Sequence, residues 1–250
     1  MRSLTFTLFK ADAIFSPSID SDEKVIFGST VIHTQNGIDF ETLPTQTPRW
    51  KKNRFEIIAV GWLADWHGFD RIIHSLNIFT KQLPDISVHF HIVGEGSHLE
   101  YLKQCIDEEN CHQYVTLWGS QEGEQLDGIY SRCQLGVDAI GIHRKGLRGA
   151  DSLKRREYIA RGLPVIQSDE ISVLNTEIPG IIQTSSDDKQ VDLLGAYQKA
   201  KDFYKINGPN IHRDYARMNF DWGIITNKQL ESTKRIILKR LTQTDEEFQE

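Results

Sequence analysis

The sequence predicts an α/β fold, a parallel sheet covered by helices on both faces. Strand-like and helix-like segments alternate from residue 55 onward with little between them. Helical patterns of roughly 10–15 residues placed between strands point to crossover connections, which parallel strands need. The first strand candidate, 55–62 (FEIIAVGW), is apolar almost throughout, as a strand buried on both faces should be.

The elements follow in order. Residues 68–83 carry Phe69, Ile72, Ile73, Leu76, Phe79 and Leu83 at helical spacing. Residues 86–93 alternate as a strand and run into Gly94-Glu95-Gly96. A helix is expected over 99–106, a strand over 114–118, a helix over 124–133 and a strand over 135–140. A helix over 152–161 is ended by Gly162-Leu163-Pro164, then come strands over 164–168 and 180–184 and a helix over 191–204. The two ends differ from this pattern. Ala13-Ile14-Phe15-Ser16 is strand-like, Val31-Ile32-His33 is a second apolar patch, and Asn36-Gly37-Ile38-Asp39 signals a turn. A polar linker passes through Pro44, Pro48 and Lys51-Lys52. Residues 221–241 read as a long helix, and the acidic tail 244–250 is expected to fray.

Composition bounds the function. With 39% hydrophobic and 26% charged residues the chain reads as an ordinary soluble globule, able to bury roughly seventy per cent of its unfolded surface. No apolar run approaches the roughly twenty residues of a membrane span, and residues 1–6 (MRSLTF) are too short and polar for a signal peptide. Cys105, Cys111 and Cys133 are odd in number and lack metal-ligand spacing, which points to reduced thiols in a cytoplasmic setting. The formal charge of −6 argues against wholesale nucleic-acid binding.

Residues 143–162 reverse that charge. Arg144, Lys145, Arg148, Lys154, Arg155, Arg156 and Arg161 stand against only Asp151 and Glu157, seven positive charges to two negative, or net +5. A basic, glycine-containing turn leading into a helix start suits an anionic ligand, because unpaired amides and the helix dipole attract phosphate there. The alternative is a solvated basic helix face.

Five motifs then occur in an order that resembles the C-terminal half of GT-B glycosyltransferases of family 4. They are Asn36-Gly37-Ile38-Asp39; Val60-Gly61-Trp62-Leu63 with His67-Gly68-Phe69-Asp70-Arg71; Ile92-Val93-Gly94-Glu95-Gly96; Val115-Thr116-Leu117-Trp118-Gly119; and residues 153–165 (LKRREYIARGLPV). The likeness covers roughly 30–240. It implies a Rossmann-like donor domain that binds a nucleotide-diphosphate sugar for retaining transfer to a polysaccharide or glycolipid acceptor, with no metal or cofactor. Glu157 matches the second glutamate of the family's E-x7-E motif, which accepts hydrogen bonds from the ribose. The resemblance places the diphosphate at the loop and first turn holding Arg144, Lys145, Arg148, Gly149, Ser152 and Lys154, and the base near Gly94, Gly96, Trp118 and Gly119.

The chain departs from the family at three positions. The first glutamate of E-x7-E falls on Gly149, and the family's phosphate-binding Arg and Lys fall on Trp62 and His67. A tryptophan carries no charge, and a histidine neutralises phosphate only when protonated. The arginines and lysines of 143–156 are expected to compensate. The resemblance divides the chain into 1–43, a remnant of the N-terminal domain and crossover; 44–54, a linker; 55–220, the nucleotide-sugar-binding domain; and 221–250, the C-terminal helix and tail. A largely absent N-terminal domain leaves three possibilities: a transferase incomplete as this chain, one subunit of a split enzyme, or a non-catalytic nucleotide- or partner-binding module. The expected partners are the nucleotide-sugar donor and a separate N-terminal subunit or a second copy. The expected location is cytoplasmic, with peripheral membrane contact allowed.

Overall fold

A computed structural model of the chain describes residues 13–16, 24–26, 29–44, 48–146, 152–168 and 178–247. Two compact units form, one from Phe40–Arg217 and the other from Met1–Asp39 with Met218–Glu250.

The larger unit is built on six strands: β4 (Arg54–Val60), β5 (Ser87–Val93), β6 (Val115–Leu117), β7 (Leu135–Val137), β8 (Val165–Ser168) and β9 (Ile181–Thr184). Their order is β6-β5-β4-β7-β8-β9 and every pair is parallel. Between them run α1 (Phe69–Gln82), α2 (Leu99–Glu108), α3 (Gly123–Tyr130), α4 (Leu153–Ala160) and α5 (Leu193–Ile206), with α6 (Pro209–Phe220) after the last. The period-two alternation of β4 sends Phe55, Ile57 and Ala59 to a core shared with Phe90 and Ile92 of β5, the α1 residues Phe69, Ile72, Ile73, Leu76 and Phe79, and Tyr197 of α5. Each of the buried Phe, Ile and Leu side chains among them contributes about 1.5–3 kcal/mol. The opposite face is covered by α4, whose Tyr158 hydroxyl accepts from the Val60 amide at 2.9 Å. A Cβ on Gly136 of β7 would collide with the Tyr158 ring, so that close approach needs glycine. The sheet with helices on both faces is the architecture the sequence predicts.

The connections set where a ligand can sit. From β4 the chain moves outward to β5 and β6, then returns to β7 on the other side of β4. Their carboxyl ends diverge there, and in open parallel sheets the crevice at such a reversal is where ligands bind.

Some boundaries differ from the expected ones. The fourth strand of the unit stops at Val137 instead of 140, because after the last rung, from the Asp138 amide to Ile166 of β8, the Ile140 amide leaves the sheet for the His67 carbonyl. Helix α6 has no counterpart among the sequence expectations. Its buried positions are His212, Ala216 and Phe220, a weak apolar signal, although Pro209 at its start is a favoured first-turn residue. The short β2 (Lys24–Ile26) is likewise an addition to the expected elements.

The smaller unit holds β1 (Ala13–Ser16), β2 and β3 (Ser29–His33) in the order β1-β3-β2. β1 pairs parallel with β3, and β2 antiparallel. Helix α7 (Trp222–Glu247) buries Ile225, and its Trp222 indole occupies the space a Cβ on Gly37 would need. The helix runs through Glu247, with no glycine or proline in its last turns, and residues 248–250 of the expected tail lie outside the described residues.

Candidate functional site

Three glycines bring the loops at the carboxyl ends of the strands together. Gly94 has φ +130, and a Cβ there would overlap the Gly61 carbonyl oxygen; one on Gly96 would overlap that of Leu63. The Gly61 amide donates to the Val93 carbonyl at 3.0 Å, Leu63 to Glu95 at 2.8 Å, and Gly94 to Gly119 at 2.7 Å. Gly94, Gly96 and Gly119 therefore splice the turns after β4, β5 and β6 into one rim. Trp118 is oriented by its indole N–H, which donates to His91 Nδ1 at 3.1 Å.

The turn after β4 also locks to the loop after β7. Gly68 (φ +69) lies against Gly141, where a Cβ would be 2.7 Å from the Gly141 nitrogen. The Ile140 amide donates to the His67 carbonyl at 3.0 Å. Asp70 and Arg71, at the start of α1, complete this lock. Arg144 forks onto the two Asp70 oxygens at 2.9 and 2.7 Å, reaches the Asp65 carbonyl at 2.8 Å, and gives its Nε to Asp188 at 2.7 Å. Those bonds hold its guanidinium firmly protonated. Arg71, nearly fully buried, donates to the carbonyls of Ser185 and Lys189 at 3.0 and 2.7 Å. Asp70 and Arg71 both stand in the HGFDR motif, yet their bracing role is not visible from spacing.

The basic stretch is divided by this geometry. Arg144 is engaged by carboxylates. Lys145 is exposed, and its ammonium lies 4.4 Å from the Trp66 ring centroid. Arg155 is fully buried with Asp138, Nη1 to Oδ2 3.3 Å. Arg148 and Gly149 lie outside the described residues. Ser152 caps α4 by accepting from the Arg155 amide. Lys154, in the first turn of α4, points to the crevice: its Nζ is 4.0 Å from where a Gly61 Cβ would stand and 5.5 Å from the Phe69 ring centroid. Burial first, and Arg155 also, lower its pKa to about 8, against the opposing pull of Asp138. No carboxylate lies within ion-pair distance of it among the described residues.

His67 sits beside this ammonium, its ring stacked on Phe69 at 5.2 Å. Burial and then Lys154 push its pKa down to about 4. It is neutral at pH 7 and adds no charge for a phosphate, so the cation of this corner is Lys154. Trp62, between Gly61 and Leu63, is 65% exposed.

Glu157 is partly exposed and pairs with Arg161, not with Lys154: Arg161 Nε to Oε1 is 2.9 Å. Arg161 also meets Asp127 at 2.7 Å and covers the Tyr130 ring at 4.0 Å. A cavity of about 630 Å³ opens here, along α3 and the end of α4, and not at the strand ends. Its one cation is compensated by Asp127 and Glu157, which suits an anionic ligand less than the Lys154 crevice does. Among the described residues no cluster of histidine, cysteine and carboxylate side chains could hold a metal, and no helix is long and apolar enough to cross a membrane. The three cysteines are buried and unpaired.

Residues 54–199 match the family model described as "Glycosyl transferases group 1". No curated sequence matches the chain. Among solved structures, Anabaena Alr3699/HepE in complex with UDP is similar at 14% identity and TM-score 0.62, covering 83% of this chain and 58% of that one. Sucrose-phosphate synthase from Thermosynechococcus elongatus is 15% identical with TM-score 0.62, covering 95% and 61%. The pneumococcal O-GlcNAc transferase GtfA with UDP and GlcNAc is 21% identical with TM-score 0.57, covering 84% and 40%. At these identities the likeness is one of fold, and the chain spans less than two thirds of each structure's length.

Proposed function

The chain belongs to the group 1 glycosyl transferases, and from that premise we propose that its six-stranded unit binds the nucleotide-diphosphate part of a sugar donor. The observation that carries this is the Lys154 ammonium, held beside Gly61 where β4 and β7 diverge. The first turn of α4 adds amides left without an intrahelical partner, and the dipole favours an anion there. On this reading the diphosphate lies between Lys154 and the Gly61 turn. Glu157 accepts from the ribose hydroxyls; Arg161 engages Oε1, and a carboxylate offers about four acceptor sites in all. The Gly94–Gly96 and Trp118–Gly119 turns face the base. His67 shapes the corner as a neutral ring, and Arg144 and Asp70 fix the loop.

The reaction proposed is hexosyl transfer with retention, to a polysaccharide or glycolipid acceptor, in the cytoplasm. Departure of the nucleotide leaves negative charge on its terminal phosphate, and a fixed ammonium stabilises that charge as it develops. The acceptor must be held against the anomeric carbon, a task that falls to a second domain, in the same polypeptide or as a separate subunit.

Calorimetry with UDP, GDP and ADP tests the donor reading. Binding of one of them, weakened about 10- to 100-fold by Glu157→Ala at unchanged melting temperature, is expected for loss of hydrogen bonds to a charged group. No binding of any of them at millimolar concentration would reject it in favour of a non-catalytic partner-binding module.

A further inference from the structure

Large exposed aromatic side chains are uncommon on rigid backbone, and Trp62 is one. Its neighbours on both sides are pinned, Gly61 to Val93 at 3.0 Å and Leu63 to Glu95 at 2.8 Å. The residue between them is therefore fixed in backbone, while its indole remains 65% exposed. Gly61, immediately before it, is the residue that faces Lys154 Nζ. Trp62 thus follows directly the residue that faces the Lys154 ammonium at the crevice, the cation found facing it among the described residues. Nothing in the core needs it there: the residue that fills the adjoining interior is Leu63, 1% exposed.

We propose that Trp62 is a stacking platform for the pyranose ring of the donor, the sugar bonded directly to the diphosphate. The inference rests on the donor reading above and names the group beside the phosphate. The connectivity of a nucleotide sugar selects this occupant. The base is separated from the diphosphate by the ribose, whereas the transferred sugar is attached to it without a spacer. An aromatic surface one residue from the diphosphate contact therefore meets that sugar, or the ribose, before it meets the base. Glu157 serves the ribose in the proposed arrangement, which leaves the pyranose for Trp62. One face of a pyranose presents a patch of C–H groups, and the electron-rich face of an indole, the best of the aromatic side chains for this, attracts their partial positive charge.

The test compares UDP with UDP-glucose on the full chain. For the unaltered protein, UDP-glucose is expected to bind about tenfold more tightly than UDP, the scale of one aromatic contact with a desolvated partner. In Trp62→Ala that preference disappears while the affinity for UDP stays within about twofold, and Trp62→Phe restores most of it. The change in tryptophan emission on adding UDP-glucose should exceed that on adding UDP, to which Trp118 at the base responds, and the excess should be lost in Trp62→Phe although the other tryptophans remain. An exposed side chain carries little packing, so the melting temperature of Trp62→Ala should match the unaltered protein. Equal preference for UDP-glucose in the unaltered protein and Trp62→Ala overturns the inference and leaves the donor reading intact. So does a loss of UDP affinity equal to the loss of UDP-glucose affinity, which would make Trp62 a contact of the nucleotide. Failure of the unaltered chain to bind either ligand overturns the inference, and failure of GDP and ADP as well overturns the donor reading with it.

Discussion

Replacing Lys154 with methionine separates a binding residue from a structural one, because the two roles predict effects of opposite sign. Methionine keeps the length and apolar stem of the side chain and removes only the ammonium. Burial lowers the lysine pKa from 10.5 to about 8, so the folded state holds this proton less tightly than the unfolded chain does. The ceiling on that penalty is about 3 kcal/mol, and solvent reaching the partly accessible side chain reduces it to about 1 kcal/mol. Lys154→Met should therefore raise the melting temperature at pH 7 by about 2–4 °C for a chain of this size. The same substitution should weaken UDP binding about 10- to 100-fold, the value of hydrogen bonds to a charged donor. The pH dependence has a defined direction. Stability of the unaltered protein gains from this group as pH rises from about 8 toward 10.5, where only the unfolded chain still binds the proton. UDP affinity should move the other way, falling about tenfold per pH unit above ~8, while the phosphates, with a last pKa near ~6, no longer titrate. Calorimetry from about pH 7 to 9.5 on both proteins, with parallel thermal melts, reads each effect. A methionine variant that binds UDP normally, or that loses affinity and stability together, would refute the reasoning.

Gly94→Ala should destabilise the fold by about 2 kcal/mol or more, because it combines a positive φ with overlap of the Gly61 carbonyl; in urea titrations, Gly128→Ala in α3, where a Cβ meets nothing, serves as the control. Arg144→Ala should cost about 3 kcal/mol by leaving buried Asp70 without its partner, and should weaken UDP and uridine binding equally; a selective loss for UDP would make Arg144 a phosphate contact. His67, His91 and His212 are each held near a pKa of about 4, chiefly by burial. The unfolded chain takes these protons near pH 6.5, so stability should fall as pH drops from 6.5 toward 4, by up to about 1.4 kcal/mol per pH unit for each histidine. Equal denaturation midpoints at about pH 7 and pH 5 would contradict that.

The sheet is legible in the sequence because its signal is local. Strands such as Phe55–Val60 repeat apolar residues densely, and α1 carries five core residues on one helical face. Helix α6 is not legible, since its buried side chains include a histidine and an alanine. Burial of His212 sets its ring between the carbonyls of Leu163 and Pro179, far away in sequence, one of which accepts the single N–H of the neutral imidazole. The site divides in the same way. The glycines at 61, 94, 96 and 119 and the cation-rich stretch at 143–156 are visible as letters, but a count of charges does not say which are already neutralised. Arg144 answers Asp70 and Asp188, Arg155 answers Asp138, and Arg161 answers Asp127 and Glu157. Each of these acids except Glu157 lies at least 17 residues from its arginine, so the local excess of +5 overstates the field at the crevice. Among the described residues, what remains facing Gly61 is one ammonium on the first turn of α4. Its value for binding comes from the same burial that depresses its pKa, since low dielectric strengthens its pull on a phosphate as it penalises the charge when the site is empty.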